Sequence, residues 1–356
     1  MSSGVEPVSS AVDADPAAGG GPGRLGRRGP GRLLGRSAPD WRPRRLGNQI
    51  GVIAAIAVLL AVTGGLHPGF LSVASLANIA QAASFFGIMS LGTVFLLAMR
   101  EIDLSVGSLY GLSIVAAGLL VQHGTSPWLA AAAGIAAATA LGAVNGILAS
   151  FFRLPVLIIT LGTLTAYAGI SAVLTNSQTI TLTATGAFFT DLGGTYLRVP
   201  LMVYAFVVLA AVLSVFFHRT RFGFAVRSAG ANPRAAVLAG YRIDRMRVMV
   251  TALSGALCGV SGMLTLAYFG AADPSQGNGY EIQVIAAAII GGTSLVGGSG
   301  TVWGALLGAL LISLIQAALI QFGVGANASY VVTGTVIVAA VGLDALIRRA
   351  RARPRS

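Results

Sequence analysis

The chain has 356 residues, of which 55% are hydrophobic and 10% are charged, and its mean hydropathy is +0.82. A soluble domain has about a quarter of its residues charged, so this composition excludes one or two soluble domains and indicates an integral membrane protein. The net charge of +12 comes from 23 Arg and no Lys, which favours basic loops beside a membrane over a nucleic-acid-binding surface. The absence of Lys also excludes a standard Walker A phosphate loop.

The two ends of the chain differ from its middle. Residues 1–47 are rich in Ala, Gly, Pro, Ser and Arg, and they predict a disordered tail. A Gly-x-Gly-x-x-Gly match starting at Gly21 has no strand before it, so we reject a dinucleotide site there. Residues 348–356 form a basic second tail, and residues 48–347 are expected to be the transmembrane domain.

From residue 50 onward, apolar runs of roughly 15 to 25 residues follow one another, and this length crosses a hydrocarbon core of about 30 Å. We count ten runs, with approximate bounds Ile50–Leu66, Leu76–Met99, Leu104–Val121, Trp128–Phe152, Pro155–Leu174, Val199–Phe217, Val248–Phe269, Ile282–Val296, Val302–Ile320 and Tyr330–Ile347. The predicted fold class is an all-α integral membrane protein with about ten transmembrane helices.

The arginines predict its orientation. Eight lie in residues 24–45, seven in residues 219–247 and five in residues 348–355. Ten crossings place all three clusters on one side of the membrane. Two further loops on that side contribute Arg100 and Arg153, which brings the total there to 22 of 23 Arg. Basic loops stay in the cytoplasm, so we expect both termini to be cytoplasmic.

The longest predicted cytoplasmic loop, residues 218–247, has the signals of a short helix outside the membrane. Asn232 suits the N-cap, Pro233 the first helical position and Gly240 the end of the helix. By composition alone, a surface helix held by phospholipid charge explains this segment equally well.

Four motifs resemble those of ABC importer permeases. The stretch PRAAVLAG, which contains Arg234, Ala235 and Ala236, resembles the loop whose short coupling helix docks on the ATPase subunit. Three further stretches resemble the ribose-type sugar permease branch: IDLSVGS at Ile102–Ser108, VNG at Val144–Gly146 with RLPVLIITLGT at Arg153–Thr163, and IGGTSLVGGSGTVWGALLGALL at Ile290–Leu311. The resemblance covers about residues 48–347.

The resemblance has two departures. Arg234 stands where the family has an acidic residue, and Arg100-Glu101 stands where the family more often has Gly-Gly. From the residues alone, we interpret Arg100 and Glu101 as a solvated interfacial pair.

The resemblance implies a multi-pass permease subunit of the bacterial plasma (inner) membrane that carries a small polar solute, in this branch a monosaccharide. It implies three partners: an ABC ATPase subunit that uses ATP, an extracytoplasmic solute-binding protein and a second permease copy. The chain itself is expected to bind no cofactor or metal and to be no enzyme. The residues implied for ATPase coupling are Asn232, Pro233, Arg234, Ala235, Ala236 and Gly240.

Candidate residues of the solute path follow from the cost of polar groups in a membrane. Asp103 lies at the mouth of the third segment, where it either caps the helix or contributes to the path. Hydroxyl and amide groups suit a neutral polyhydroxy solute, although they also bond across packed helices. A broken, Gly-rich eighth segment is typical of a cavity lining. The predicted path residues are Asp103, Ser105, Asn145, Thr160, Thr163, Thr293 and Ser294.

Two further patterns concern packing and alternatives. GxxxG patterns at Gly255–Gly259 and Gly304–Gly308 predict close helix contacts, and segments two to five and seven to ten suggest a weak inverted repeat with little residue identity. A self-contained secondary transporter stays open as an alternative, although it would need ionisable residues at membrane depth. An intramembrane enzyme would need a His, Asp or Glu cluster or a metal site, and no such motif is present.

Overall fold

The structure, a computed structural model, describes residues 44–183 and 186–325 and a few single positions between 331 and 342. Nearly all of this part of the chain is helical. The helices are α1 (Arg44–Leu66), α2 (Val73–Ala98), α3 (Val106–Gln122), α4 (Pro127–Phe152), α5 (Val156–Thr175), α6 (Leu201–Arg219), α7 (Arg221–Ala231), α8 (Pro233–Leu238), α9 (Ile243–Phe269), α10 (Tyr280–Ile290) and α11 (Val302–Gln321).

Short polar residues begin several of these helices. The hydroxyls of Ser72, Ser126 and Thr301 each accept a hydrogen bond from a backbone N–H in the first turn of α2, α4 and α11. Such caps satisfy donors that have no partner inside the helix, which matters most where water is scarce. The helix starts are therefore defined locally.

Four two-residue strands lie in the loops of the described ranges. β1 (Ile180–Thr181) pairs antiparallel with β4 (Ala271–Ala272), and β2 (Thr195–Tyr196) pairs antiparallel with β3 (Val199–Pro200). A 3-10 turn (Pro68–Leu71) and a π-helical turn (Phe188–Leu192) complete the connections. The β1–β4 pair joins the loop after α5 to the loop after α9.

Within the described ranges, seven helices are long and apolar enough to cross a membrane: α1, α2, α4, α5, α6, α9 and α11. Two shorter apolar helices, α3 and α10, fall on two further predicted segments. The all-helical membrane class predicted from the sequence is confirmed. The tenth predicted segment, Tyr330–Ile347, and the tails at residues 1–43 and 348–356 lie outside the described residues, apart from the few single positions.

The core is built around α2 and α9, which are the most completely buried of the long helices. α9 packs closely on α4, where a side chain at Gly255 or Gly259 would collide with Ala138 or Ile135. Gly304 and Gly308 approach α10 in the same way. Both GxxxG predictions are thus confirmed, because only glycine permits these backbone approaches.

An internal repeat links the two halves of the core. Residues 103–120 and 273–290 share the pattern D-x-S-x-G-x-x-Y followed by an apolar run with Ala-Ala, with six of 18 positions identical at a constant offset of 170. Residues 272–277 run antiparallel along residues 107–118. The inverted repeat expected from topology therefore has residue-level identity at its centre, although the segments as wholes share few residues.

Candidate functional site

A series of buried hydrogen bonds surrounds the first turn of α3. Oδ1 of Asp103 accepts hydrogen bonds from the backbone N–H and the hydroxyl of Ser105, at 2.8 and 2.6 Å. The Ser105 hydroxyl accepts one from Nδ2 of Asn145 at 2.9 Å, and the Tyr167 hydroxyl donates to Oδ1 of Asn145 at 3.0 Å. All four residues are buried. This Asp103 network therefore joins the start of α3 to α4 and α5.

The second carboxylate oxygen of Asp103 lies outside the network. Oδ2 is buried, and it has no hydrogen-bond partner within the described part of the chain. Leaving a buried polar atom without a partner costs free energy, so such an atom marks a place where a further partner can bind. Oδ1 holds Ser105, the residue at the N-cap of α3. One oxygen therefore fastens the helix start, and the other is left for a further partner.

One face of α5 lies against this network. Thr160 Oγ1 accepts a hydrogen bond from the Leu104 N–H at 3.1 Å, and Thr163, one turn further, is half-buried. Tyr167 follows at the next helical step, because residues three and four apart share a face. Tyr167 was not among the predicted residues, although its spacing from Thr160 and Thr163 would have indicated it.

The second repeat copy has the same local geometry as the first. Oδ1 of Asp273 accepts hydrogen bonds from the N–H and the hydroxyl of Ser275, at 2.8 and 2.7 Å. Ser275 is exposed, whereas its counterpart Ser105 is fully buried. The two copies therefore form the same turn in different environments. Repetition of D-x-S-x-G after 170 residues is the sequence signal that would have identified the second copy.

The two copies meet at Gly107 and Gly277. A Cβ atom on either glycine would collide with the carbonyl oxygen of the other, so the contact is reciprocal. Three residues beyond, Tyr110 and Tyr280 face each other with their ring centroids 5.7 Å apart. Glu281, at the start of α10, has a buried Oε2 atom close to Gly107 and without a hydrogen-bond partner among the described residues. The starts of α3 and α10 thus share one junction.

Thr293 and Ser294 belong to a different place. They lie in the Gly-rich turn of residues 291–301 between α10 and α11, where the Ser294 N–H donates to Ser299 O at 3.2 Å. In the described part of the chain they make no hydrogen bond with the Asp103 network. The structure therefore brings Asp103, Ser105, Asn145 and Thr160 together, places Thr163 on the same face of α5 as Thr160, and separates Thr293 and Ser294 from them.

The predicted short helix is present as α8. Asn232 Oδ1 accepts a hydrogen bond from the Ala235 N–H at 3.1 Å, Pro233 is the first helical residue, and Gly240 has a φ of +85°. Ala236 is buried, whereas Leu238 is 90% exposed. Arg234 and Ala235 are also exposed. The helix therefore presents an apolar tip to its surroundings.

The helix α7, which precedes α8, was not predicted from the sequence. Gly223, Val226, Ala229 and Gly230 on one face of α7 are buried, at the three- and four-residue spacing of an amphipathic helix. This spacing in residues 221–231 was the available signal. Because α7 packs on α2 and α6, α8 is attached to the helical bundle through a packed element.

Arg100 joins α7 to the loop before α3. Its Nε and Nη2 atoms donate to the carbonyl oxygens of Gly230 and Ala231, at 2.6 and 3.1 Å, and these carbonyls lie at the C-terminal end of α7. Gly298 N–H donates to Ala98 O at 2.8 Å beside them. The last turn of α7 is thus held by Arg100, and its Gly230 lies against Ala98 and Gly298.

Glu101 pairs with a distant arginine, so the predicted Arg100–Glu101 pair is wrong. Its Oε1 atom lies 2.8 Å from Nε of Arg247 on α9, and its Oε2 atom accepts a hydrogen bond from the Val156 N–H, the first residue of α5, at 3.1 Å. Both side chains of the ion pair are mostly buried. The two neighbours point to different partners because helix ends with unsatisfied donors and acceptors surround them.

Comparison with known proteins gives the family. A protein-family model described as branched-chain amino acid transport system, permease component, matches residues 75–341. The ribose import permease protein of Bacillus subtilis is 32% identical over 297 residues, which cover 83% of this chain and 92% of that protein.

Other relatives have the same extent of similarity. The D-allose transport system permease protein of Escherichia coli is 32% identical over 304 residues, 85% of this chain and 93% of that protein. The L-arabinose ABC transporter permease protein of Azospirillum brasilense is 30% identical over 304 residues, which cover 85% of this chain and 89% of that protein. No solved structure matches the chain.

Proposed function

The chain belongs to the family of transport-system permease components, as the membrane-spanning subunit of a bacterial ATP-binding cassette sugar importer, and we propose that its solute is a monosaccharide. The observation that carries this proposal is similarity to ribose, allose and arabinose permeases over more than four fifths of the chain. Family membership decides against the self-contained secondary transporter. The chain is a transport component of the inner membrane rather than an enzyme.

The proposed topology has ten membrane crossings in a permease domain of residues 48–347, with cytoplasmic tails at 1–47 and 348–356. In the described part of the chain, nine apolar helices at predicted positions support it, as does the clustering of 22 of 23 Arg on one predicted side. The loops that carry Arg100, Arg153 and Arg247 are then cytoplasmic.

The proposed solute path includes the Asp103 network. Asn145, Thr160 and Thr163 supply neutral hydrogen-bonding groups beside a carboxylate oxygen that has no partner among the described residues. Amide and hydroxyl groups of this kind can replace the water around sugar hydroxyls without forming a buried ion pair. The Thr293 and Ser294 hydroxyls also lie at the predicted cytoplasmic end, in the turn between α10 and α11.

ATPase docking is assigned to α8. The family works with an ATPase subunit and a solute-binding protein, and the exposed Leu238 at the end of α8 is an apolar anchor for the ATPase groove. ATP is bound and used by that partner. This chain is proposed to bind no cofactor and to act as a homodimer, with the solute-binding protein on the extracytoplasmic side.

Motion at α8 would reach the path through few contacts. A displacement of α8 moves the end of α7, and the Arg100 hydrogen bonds carry that movement to the loop that contains Asp103. The Gly298–Ala98 hydrogen bond carries it to the turn after α10. The ATPase cycle can thus bias the bundle between two arrangements, because packed elements move as rigid bodies.

The solute class is tested by uptake into proteoliposomes that contain the chain with its ATPase subunit, with the solute-binding protein outside. We expect ATP-dependent uptake of labelled ribose, allose or arabinose. Excess unlabelled leucine should not compete, although the family model is described by amino-acid transport. Competition by leucine, or sugar uptake without the ATPase, would contradict the proposal.

The docking site is tested by Leu238→Asp. A charge on the exposed tip should prevent burial in an apolar groove, so we expect the ATPase subunit to be lost on co-purification in mild detergent. The control is Leu197→Asp, which also alters an exposed leucine but lies on the predicted external side. Normal ATPase recovery with Leu238→Asp would overturn the assignment of α8.

A further inference from the structure

A basic cleft lies at the elbow where α6 ends and α7 begins. It has a volume of about 500 Å³, and its lining includes Arg219, Arg221, Arg227, Phe224 and Tyr241. No carboxylate belongs to the lining that the structure describes. Three guanidinium groups at one cleft repel one another, and an anion there would remove that repulsion.

The three arginines are not equivalent. Arg227 is held in place, since its Nε atom donates to Gly223 O at 3.1 Å and its guanidinium lies 5.4 Å from the ring centroid of Phe217. Arg219 and Arg221 are exposed, and in the described part of the chain neither forms a side-chain hydrogen bond or an ion pair. The cleft thus has one fixed cation and two free to close on a ligand.

An apolar stripe leads directly into the cleft. Val208, Val212 and Val215 lie on one face of α6, and each is more than half exposed. Arg219 is four residues beyond Val215 on that face. Phe224, also more than half exposed, stands beside the cleft. A ligand that fits has an anionic head at the elbow and an apolar chain along a membrane-spanning helix.

We propose that this elbow binds an anionic phospholipid, with its phosphate between Arg219, Arg221 and Arg227 and an acyl chain along the valine stripe. Arginine suits this role because its planar fork donates two hydrogen bonds to one phosphate. Basic clefts between helices at a membrane surface are suited to such headgroups. The bound lipid would brace the junction between α6 and α7, on which α8 depends.

The test is native mass spectrometry of the purified chain in mild detergent with added dioleoyl phosphatidylglycerol or dioleoyl phosphatidylcholine. We expect the chain to retain phosphatidylglycerol in preference to phosphatidylcholine. The double variant Arg219→Gln, Arg221→Gln should bind phosphatidylglycerol roughly thirtyfold more weakly, at about 1 kcal/mol for each cation removed.

The matched control is Arg242→Gln, Arg245→Gln, which removes the same charge from exposed positions outside the cleft and should bind phosphatidylglycerol like the original chain.

Equal loss of phosphatidylglycerol binding in both double variants, or equal binding of the two lipids, would overturn the proposal. Equal affinity for inorganic phosphate and for phosphatidylglycerol would overturn it as well, because the valine stripe would then contribute nothing. If the cleft variant retains phosphatidylglycerol but loses the ATPase subunit, the cleft is a protein-docking surface instead. None of these readouts depends on sugar uptake.

Discussion

At the scale of single residues, the two oxygens of Asp103 have separate surroundings. Oδ1 accepts two hydrogen bonds from Ser105, and Oδ2 is buried without a partner among the described residues. An amide at this position can keep the first role, because its carbonyl oxygen accepts the same hydrogen bonds, but it replaces the second oxygen with a donor. The two roles can therefore be separated by one substitution.

Asp103→Asn is expected to assemble normally and to reduce sugar uptake at least about tenfold, the factor that a loss of about 1.4 kcal/mol would produce. Assembly is measured by co-purification with the ATPase subunit, and uptake in proteoliposomes. Ser275→Ala is a control for the loss of an exposed hydroxyl. Full uptake by Asp103→Asn would mean that the carboxylate only fastens the start of α3.

The reciprocal contact between Gly107 and Gly277 makes a second residue-scale prediction. Gly107→Ala places a methyl group against the Gly277 carbonyl, so we expect the apparent Tm in detergent to fall, with a cost of about 1–3 kcal/mol for overpacking. Gly162→Ala on α5 is the matched control, because it has open space around it and alanine favours a helix. A Gly107→Ala variant as stable as Gly162→Ala would contradict the close approach.

At the scale of elements, the helix ends are connected by side chains that cross between them. Glu101 contacts the start of α5 through Val156 and the start of α9 through Arg247, while Arg247 also contacts Asp244. The two partners of Arg247 differ in exposure, because the Asp244 side chain is 75% exposed and that of Glu101 is 11% exposed. One arginine thus offers a comparison of a buried and an exposed ion pair.

Glu101→Ala should destabilise the chain by about 3 kcal/mol, the lower end of the range for breaking a buried pair, since both side chains retain some exposure. Asp244→Ala should cost less than about 1 kcal/mol, because solvent screens the exposed pair. The measurement is the apparent Tm of both variants in the same detergent. Equal shifts would show that burial does not govern the strength of the Glu101–Arg247 pair.

At the scale of the whole molecule, the two repeat copies differ in accessibility. Ser105 is fully buried and Ser275 is exposed, although both form the same turn with an aspartate two residues earlier. An inverted repeat in two different arrangements is the geometry expected of a transporter that opens to one side at a time. In this structure the serine of the second copy is exposed and that of the first copy is buried.

Cysteine labelling tests this difference. Cys258 is buried, so Cys258→Ala supplies a background without thiols for Ser105→Cys and Ser275→Cys. We expect a membrane-impermeant thiol reagent to modify Ser275→Cys and to leave Ser105→Cys unmodified, with the order reversed when the ATPase subunit is trapped with nucleotide. Equal reactivity of the two variants in both states would contradict alternating exposure of the repeat.

The sequence alone was sufficient for the membrane class, the approximate positions of the helices, the caps of α8 and the family resemblance. Each of these depends on local signals, such as the length of an apolar run, Asn232 before Pro233, or a motif read within one segment. Such signals lie within a few residues of one another, so no packing needs to be known.

Only the tertiary structure decided which distant groups meet. The Arg100 side chain donates hydrogen bonds to the end of α7, and the Glu101 side chain forms an ion pair with Arg247. Thr293 and Ser294 lie apart from the other candidate path residues. The Gly107–Gly277 contact joins positions 170 residues apart. These outcomes follow from helix packing, because a side chain takes as its partner whichever helix end the packing brings close, however far away it is in the chain.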